Sequence, residues 1–199
     1  GGFDATISDA SLETSLLAVQ GPKTIEALQS LTEVDLADMT YYTYAWGRFA
    51  GVDEVLISAT GYTGSGGFEL YIPKGKAAQV WDAILEAGQP YGIEPAGLAA
   101  RDTLRLEMGF CLYGNDIDES TSPLEAGLGW ITKFTKTFIN SEALLEEKTR
   151  GVSRRLVGFH LIDRGIPRQG YPITNAQGDH IGIVTSGTMS PSLNQAIGM

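Results

Sequence analysis

The chain has 199 residues, with 24 acidic against 14 basic side chains, a formal net charge of −10 and 43% hydrophobic residues. That apolar share can build the core of one large domain or two small ones. The acidic balance excludes non-specific nucleic-acid binding, which needs a basic footprint, and disfavours anionic membrane surfaces.

In chain order, "LLAVQGPKTIEALQSL" reads as a strand over Leu16 to Val19, a turn, then a helix with Pro22 in its first position. Ile25, Leu28 and Leu31 follow at helical spacing. "YYTYAWGRFAG" and "VDEVLISAT" are two β-rich runs that predict a hairpin across a Gly-Val-Asp turn. "GYTGSGGFELY" comes next, from Gly61 to Tyr71. Its strand alternates, with Phe68, Leu70 and Ile72 on one face and Glu69 and Tyr71 on the other. "KAAQVWDAILEAGQ" is an amphipathic helix with Val80, Ile84 and Ala87 inward. The order strand, helix, three strands, helix predicts an α+β fold, close to ferredoxin-like, around a largely antiparallel sheet.

"EPAGLAARDTLRLEMG" predicts another helix, with Leu98, Leu104, Leu106 and Met108 as its apolar positions and Gly109 as its C-cap. "CLYGNDIDESTSPLEAGLGW" reads as a long polar loop, and "INSEALLEEKTRG" as a short helix capped by Ser141. Beyond Gly151, short β runs alternate with glycine turns, which predicts a small all-β unit of barrel or sandwich type. The domain boundary is placed there. The chain opens "GGFDATISDAS" without a methionine and stops inside the apolar run ending "NQAIGM", so a piece of a longer protein is expected.

Several chemistries can be weighed on these residues. One cysteine, Cys111, allows no intrachain disulfide and no cysteine metal cluster, and the only histidines, His160 and His180, lie far downstream of it. Asn115, Asp116 and Asp118 lack the glycine and distal glutamate of a calcium loop, so no metal is expected. No apolar run approaches the ~18 residues of a membrane span. The glycine loop lacks the Lys-Ser/Thr of a phosphate loop and leads into a strand rather than a helix. Two readings stay open for it: a hairpin turn needing positive φ, or a backbone against which a flat ligand lies beside Tyr62 and Glu69. Glu69 itself reads either as part of a solvated sheet face or as a carboxylate taking paired N–H donors from a heterocycle. Arg101 reads as a surface partner of Asp102 or as an anion clamp.

"GYTGSGGFELY", "AGLAARDTLRLEMGFCLYGNDIDESTSPLEAGLGW" and "GIVTSGTMSPSLNQAIGM" together resemble the T-protein of the glycine cleavage system, an aminomethyltransferase family. The likeness is collinear along nearly the whole chain, and "LRLEMGFCLYGNDID" is its most specific part. Folate domains of sarcosine and dimethylglycine dehydrogenases, and a non-catalytic folate-binding assembly protein, share the fold; the Leu-Tyr-Gly-Asn-Asp-Ile-Asp run speaks for the T-protein.

The resemblance implies that residues 1–150 form a folate-binding α+β domain and residues 151–199 a C-terminal β-barrel domain, both incomplete. It implies tetrahydrofolate as co-substrate and the lipoylated H-protein as partner, with no metal, nucleic acid or membrane. Ammonia leaves an aminomethyl group on the lipoyl arm, and methylene-tetrahydrofolate forms. The family's pterin-gripping glutamate falls on Glu69, its loop tyrosine on Tyr62 and its folate-binding arginine on Arg101. The acidic pair common in the family loop is Ser65-Gly66 here. The family's catalytic aspartate lies in a portion upstream of Gly1. A bacterial cytoplasmic setting is implied, or a mitochondrial matrix in a eukaryote.

Overall fold

The computed structural model describes residues 4–199, so the opening Gly1–Phe3 lies outside the described residues. Two compact units result, Gly1–Gly97 and Leu98–Met199.

The first unit contains β1 (Thr14–Gln20), α1 (Thr24–Leu28), β2 (Tyr44–Phe49), β3 (Val52–Ser58), β4 (Gly67–Pro73) and α2 (Ala77–Gly88). Its sheet runs β1-β4-β3-β2 with every neighbouring pair antiparallel. The α+β plan around an antiparallel sheet is therefore present, as a β2–β3–β4 meander closed by β1 against β4. Period-two alternation sends Val55 and Ile57 of β3 and Phe68, Leu70 and Ile72 of β4 to one face. There they pack with Leu28 of α1 and with Val80 and Ile84 of α2 into the core. Each such side chain, once buried, contributes about 1.5–3 kcal/mol.

The turn between β2 and β3 differs from expectation. It is Ala50-Gly51 rather than Gly-Val-Asp, and Val52 already pairs with Phe49. Both turn residues have positive φ, +50° and +77°, which suits the twist of a tight hairpin. Alanine tolerates this poorly, and only glycine is free of the penalty. The first helix also starts later than expected, at Thr24, with Pro22 in the preceding turn.

The opposite face of the sheet is open. Leu16, Tyr71, Leu56 and Trp46 lie in register across all four strands as an apolar row. The next row is Ala18, Glu69, Ser58 and Tyr44. A cleft of about 800 Å³ opens over the first row, with Trp46, Leu56, Tyr71 and Pro73 in its walls.

The second unit contains α3 (Leu98–Glu107), α4 (Ser141–Arg150), β5 (Phe159–His160), β6 (Pro172–Thr174), β7 (His180–Ile183), β8 (Gly187–Ser190) and β9 (Gln195–Gly198). Its strands form a three-stranded sheet, β5-β9-β8, and a separate β6-β7 pair; the described residues close no barrel. Helix α3 ends as predicted at Gly109, whose φ is +69°. There the Gly109 and Phe110 N–H groups donate to the carbonyls of Leu106 and Arg105, both at 2.9 Å. The apolar stripe expected on α3 is only partly inward. Leu106 is buried, whereas Leu98 and Met108 are 80% and 50% exposed. The fully buried large side chain of this helix is Arg105. Helix α4 starts at Ser141 itself, with Asn140 at the cap position in a left-handed conformation. The loop predicted over residues 111–130 is present and longer than expected: residues 108–140 contain no helix or strand.

Candidate functional site

The glycine loop joins β3 to β4. Gly64, Gly66 and Gly67 have φ of +69°, +74° and +129°. Those angles bring the chain back for Phe68 to pair with Val19 of β1. A Cβ on Gly67 would also sit 2.3 Å from the Val19 carbonyl oxygen. The glycines therefore serve a tight return and close backbone approach, not a helix-borne phosphate nest.

Glu69 is half-buried on the open face, between Ala18 of β1 and Ser58 of β3. Its Oε2 accepts the Thr60 hydroxyl, and a 2.9 Å contact joins that hydroxyl to Ser58 Oγ. A carboxylate at a sheet position with a hydroxyl on one oxygen is oriented, not merely solvated. Tyr62 follows two residues after Thr60 and is half-buried, so the entry to its loop is tied to Glu69.

Two more tyrosines stand at this end of the sheet. The rings of Tyr41 and Tyr42 have centroids 4.2 Å apart, and the Tyr41 hydroxyl donates to the Gly61 carbonyl at 3.3 Å. Burial, then the neighbouring Tyr42 and the charge on Glu69, push the Tyr41 phenol above its ordinary value. Sequence reading missed Tyr41 and Thr60; their only signal is a tyrosine-rich run and a threonine just before the loop.

The second unit carries Arg101, exposed on α3. One turn later, Arg105 is fully buried in a polar cluster. Its Nε and Nη2 donate to Asp102 Oδ1 at 2.8 and 2.6 Å, and its Nη1 to Asp116 Oδ2 at 2.5 Å. It also donates to the Phe110 carbonyl and, from 81 positions away in sequence, to Ser186 Oγ. Asp116 further accepts the Leu112 N–H and the Thr185 hydroxyl. These bonds join α3, the Tyr-Gly-Asn-Asp loop and the segment leading into β8. Asp118 instead serves its own turn: hydrogen bonds from Ser120 and Thr121 hold its carboxyl below the usual range. Among the described residues no group of three or more His, Cys, Asp or Glu side chains could hold a metal ion. No helix of the described residues is long and apolar enough to cross a membrane.

Burial pushes the Cys111 thiol above its ordinary value, and the charge on Asp116 adds to the effect. A raised thiol holds less thiolate at neutral pH, and the thiolate is the nucleophile. Iodoacetamide should therefore alkylate native Cys111 about tenfold more slowly than glutathione, with the rate recovering in urea. Equal native and unfolded rates would contradict this.

An oriented carboxylate beside an aromatic loop on an open antiparallel sheet face can accept the N–H donors of a flat heterocycle. Comparison with known proteins gives the family. The GCVT N-terminal domain model matches residues 2–136, and the glycine cleavage T-protein C-terminal barrel domain model matches residues 154–199. The chain belongs to the glycine cleavage T-protein family. It is 63% identical over 185 residues to an aminomethyltransferase of Flavobacterium psychrophilum, covering 93% of this chain and 51% of that protein. It is 60% identical over 197 residues to one from Bacteroides fragilis, covering 98% of this chain and 55% of the relative. Among solved structures it is similar to the glycine cleavage system aminomethyltransferase T of Bartonella henselae, with a TM-score of 0.83 and 34% identity over 93% of this chain and 51% of that one. The chain thus spans about half the length of the curated relatives it matches.

Proposed function

We propose that this chain supplies the folate-binding wall of a tetrahydrofolate-dependent aminomethyltransferase. Its co-substrate is tetrahydrofolate and its protein partner is the lipoylated H-protein. In the reaction, the carbon of a lipoyl-bound aminomethyl group is bonded to the two acceptor nitrogens of tetrahydrofolate. Its bonds to sulfur and to the amine break, and the protons of those nitrogens leave with ammonia and the lipoyl thiol. No oxidant is needed. The single observation that carries this reading is Glu69, a half-buried carboxylate with one oxygen held by Thr60, beside the tyrosine loop on the open sheet face. A pterin offers an amine and a ring N–H to such a carboxylate. Tyr62 packs on the heterocycle, and the family resemblance assigns Arg101 as a folate-binding arginine. The identity of about 60% to aminomethyltransferases supports the reading.

A boundary near Gly151 between a folate-binding domain and a C-terminal barrel domain is supported by the family models, which match residues 2–136 and 154–199, whereas the compact units divide at Gly97. The bacterial relatives support a cytoplasmic setting.

The test is tetrahydrofolate binding by calorimetry, together with methylene-tetrahydrofolate formation from aminomethyl-loaded H-protein. Both are run on this chain and on the same residues within a polypeptide of the relatives' length. The longer protein should turn over. The 199-residue chain should be slower by at least ~10²–10⁴-fold, the usual loss when a positioned acid–base group is missing. Comparable rates would place the catalytic group inside residues 1–199. Folate binding without turnover in either protein would favour a non-catalytic folate binder. Turnover of free sarcosine or dimethylglycine, with an electron acceptor, would favour the amine dehydrogenase reading.

A further inference from the structure

Gln20, at the end of β1, lies 43 positions before Thr63, yet its side chain sits inside the return of the glycine loop. Its Nε2 faces three carbonyl oxygens: Val19 at 3.2 Å, Thr60 at 3.1 Å and Phe68 at 3.3 Å. Its Oε1 accepts the Thr63 hydroxyl at 3.0 Å. Carbonyls only accept and a hydroxyl can donate, so these neighbours fix which end of the amide is which. One side chain thus holds the residue that enters the loop, a residue within it and a residue that leaves it. The Gly21 N–H adds a fourth tie, to the Gly66 carbonyl at 3.0 Å.

The loop's composition fits this staple. Gly61 does not have positive φ, so its backbone makes no demand for glycine. A Cβ there would lie 1.8 Å from Gln20 Oε1 and 2.5 Å from its Cδ. A side chain at position 61 would push the Gln20 amide out of its hydrogen bonds to Thr60 and Thr63.

Thr60 also donates to Glu69, and Phe68 precedes Glu69 on β4. Gln20 therefore holds both chain segments that set the Glu69 carboxylate, and Tyr62 lies between two residues it bonds. We infer that Gln20 is a positioning residue: it does not touch the ligand but fixes the Tyr62 loop and the Glu69 carboxylate in the geometry that binds a heterocycle. This rests on the folate reading above, although the stapling of the loop stands on its own contacts. A site held from behind by hydrogen bonds loses binding when that support is removed, even though the fold survives.

Gln20→Glu keeps the shape but replaces the donor by an acceptor facing three carbonyls. Amide exchange across residues 60–67, measured on the chain without ligand, should rise about tenfold or more, with exchange in the buried β3 and β4 amides unchanged. Tetrahydrofolate affinity should fall about tenfold. Gly61→Ala should damage the loop in the same way, but adding it to Gln20→Ala should raise exchange little further, because the amide it would displace is already gone. Native loop exchange in Gln20→Glu would overturn the inference. So would a Gly61→Ala defect of equal size with and without Gln20, or a loosened loop with unchanged affinity. If the parent chain fails to bind tetrahydrofolate, the folate reading falls, and the exchange and cycle results still decide for or against the staple.

Discussion

Arg105→Met should destabilise the second unit by about 3–5 kcal/mol, the usual cost of breaking a buried ion pair from one side. The side chain is fully buried, and Asp116, its partner, is 6% exposed. Methionine fills much of the volume but leaves the Asp116 carboxylate to the Leu112 N–H and the Thr185 hydroxyl, both neutral donors. Two hydrogen bonds do not replace a guanidinium in a site closed to water, so an uncompensated charge remains. The segment 185–186 loses its tie to α3 at the same time, because Ser186 Oγ accepts from the same guanidinium. A urea titration read by amide exchange in β8 and β9 measures the loss. Arg105→Met/Asp116→Leu should recover part of it, since removing both charges is far less costly than removing one. A single-variant loss below about 1 kcal/mol, the range of exposed pairs, would mean that water reaches the cluster.

Glu69→Gln should weaken tetrahydrofolate binding by about 1.5–3 kcal/mol, or roughly 10–150-fold, the range for hydrogen bonds to a charged group. The substitution is nearly isosteric. Its carbonyl oxygen can still accept the Thr60 hydroxyl, so local structure should persist. What disappears is the second charged acceptor, and the new amide N–H₂ faces the donors of the heterocycle. The melting temperature should move little, because the residue is only half-buried and lies on the open face. Calorimetry on the variant and its parent decides the point. Unchanged affinity would remove Glu69 from the site and leave it as a polar residue on a solvated sheet.

The two largest effects fall on residues of different legibility. Glu69 was readable because strand alternation is local: Phe68, Leu70 and Ile72 assign one face, and Glu69 must take the other. Arg105 was not. Within α3 it sits in a Leu-Arg-Leu run, where a charged side chain reads as solvent-facing. Its burial depends on Asp116 and Ser186, 11 and 81 positions away. Nothing in a helical period reports a partner at that distance. The Ala50-Gly51 turn was misplaced by one register for a related reason: Val52 could serve either as a turn residue or as the first strand residue until its pairing with Phe49 was known.

The residue pattern by itself therefore determined the α+β class, the strand–glycine loop–strand unit, the face that carries Glu69 and the glycine that ends α3. These follow from periodicity and from backbone angles that only certain residues accept. Tertiary structure alone decided that Arg105 is interior and that Asp116 is its partner. It also decided that the space beside Gly61 is filled by the Gln20 amide. For Arg105 and Asp116 the deciding term is the desolvation of charged groups, tolerated only where distant segments bring hydrogen-bonding partners; for Gly61 it is the space taken by the Gln20 amide.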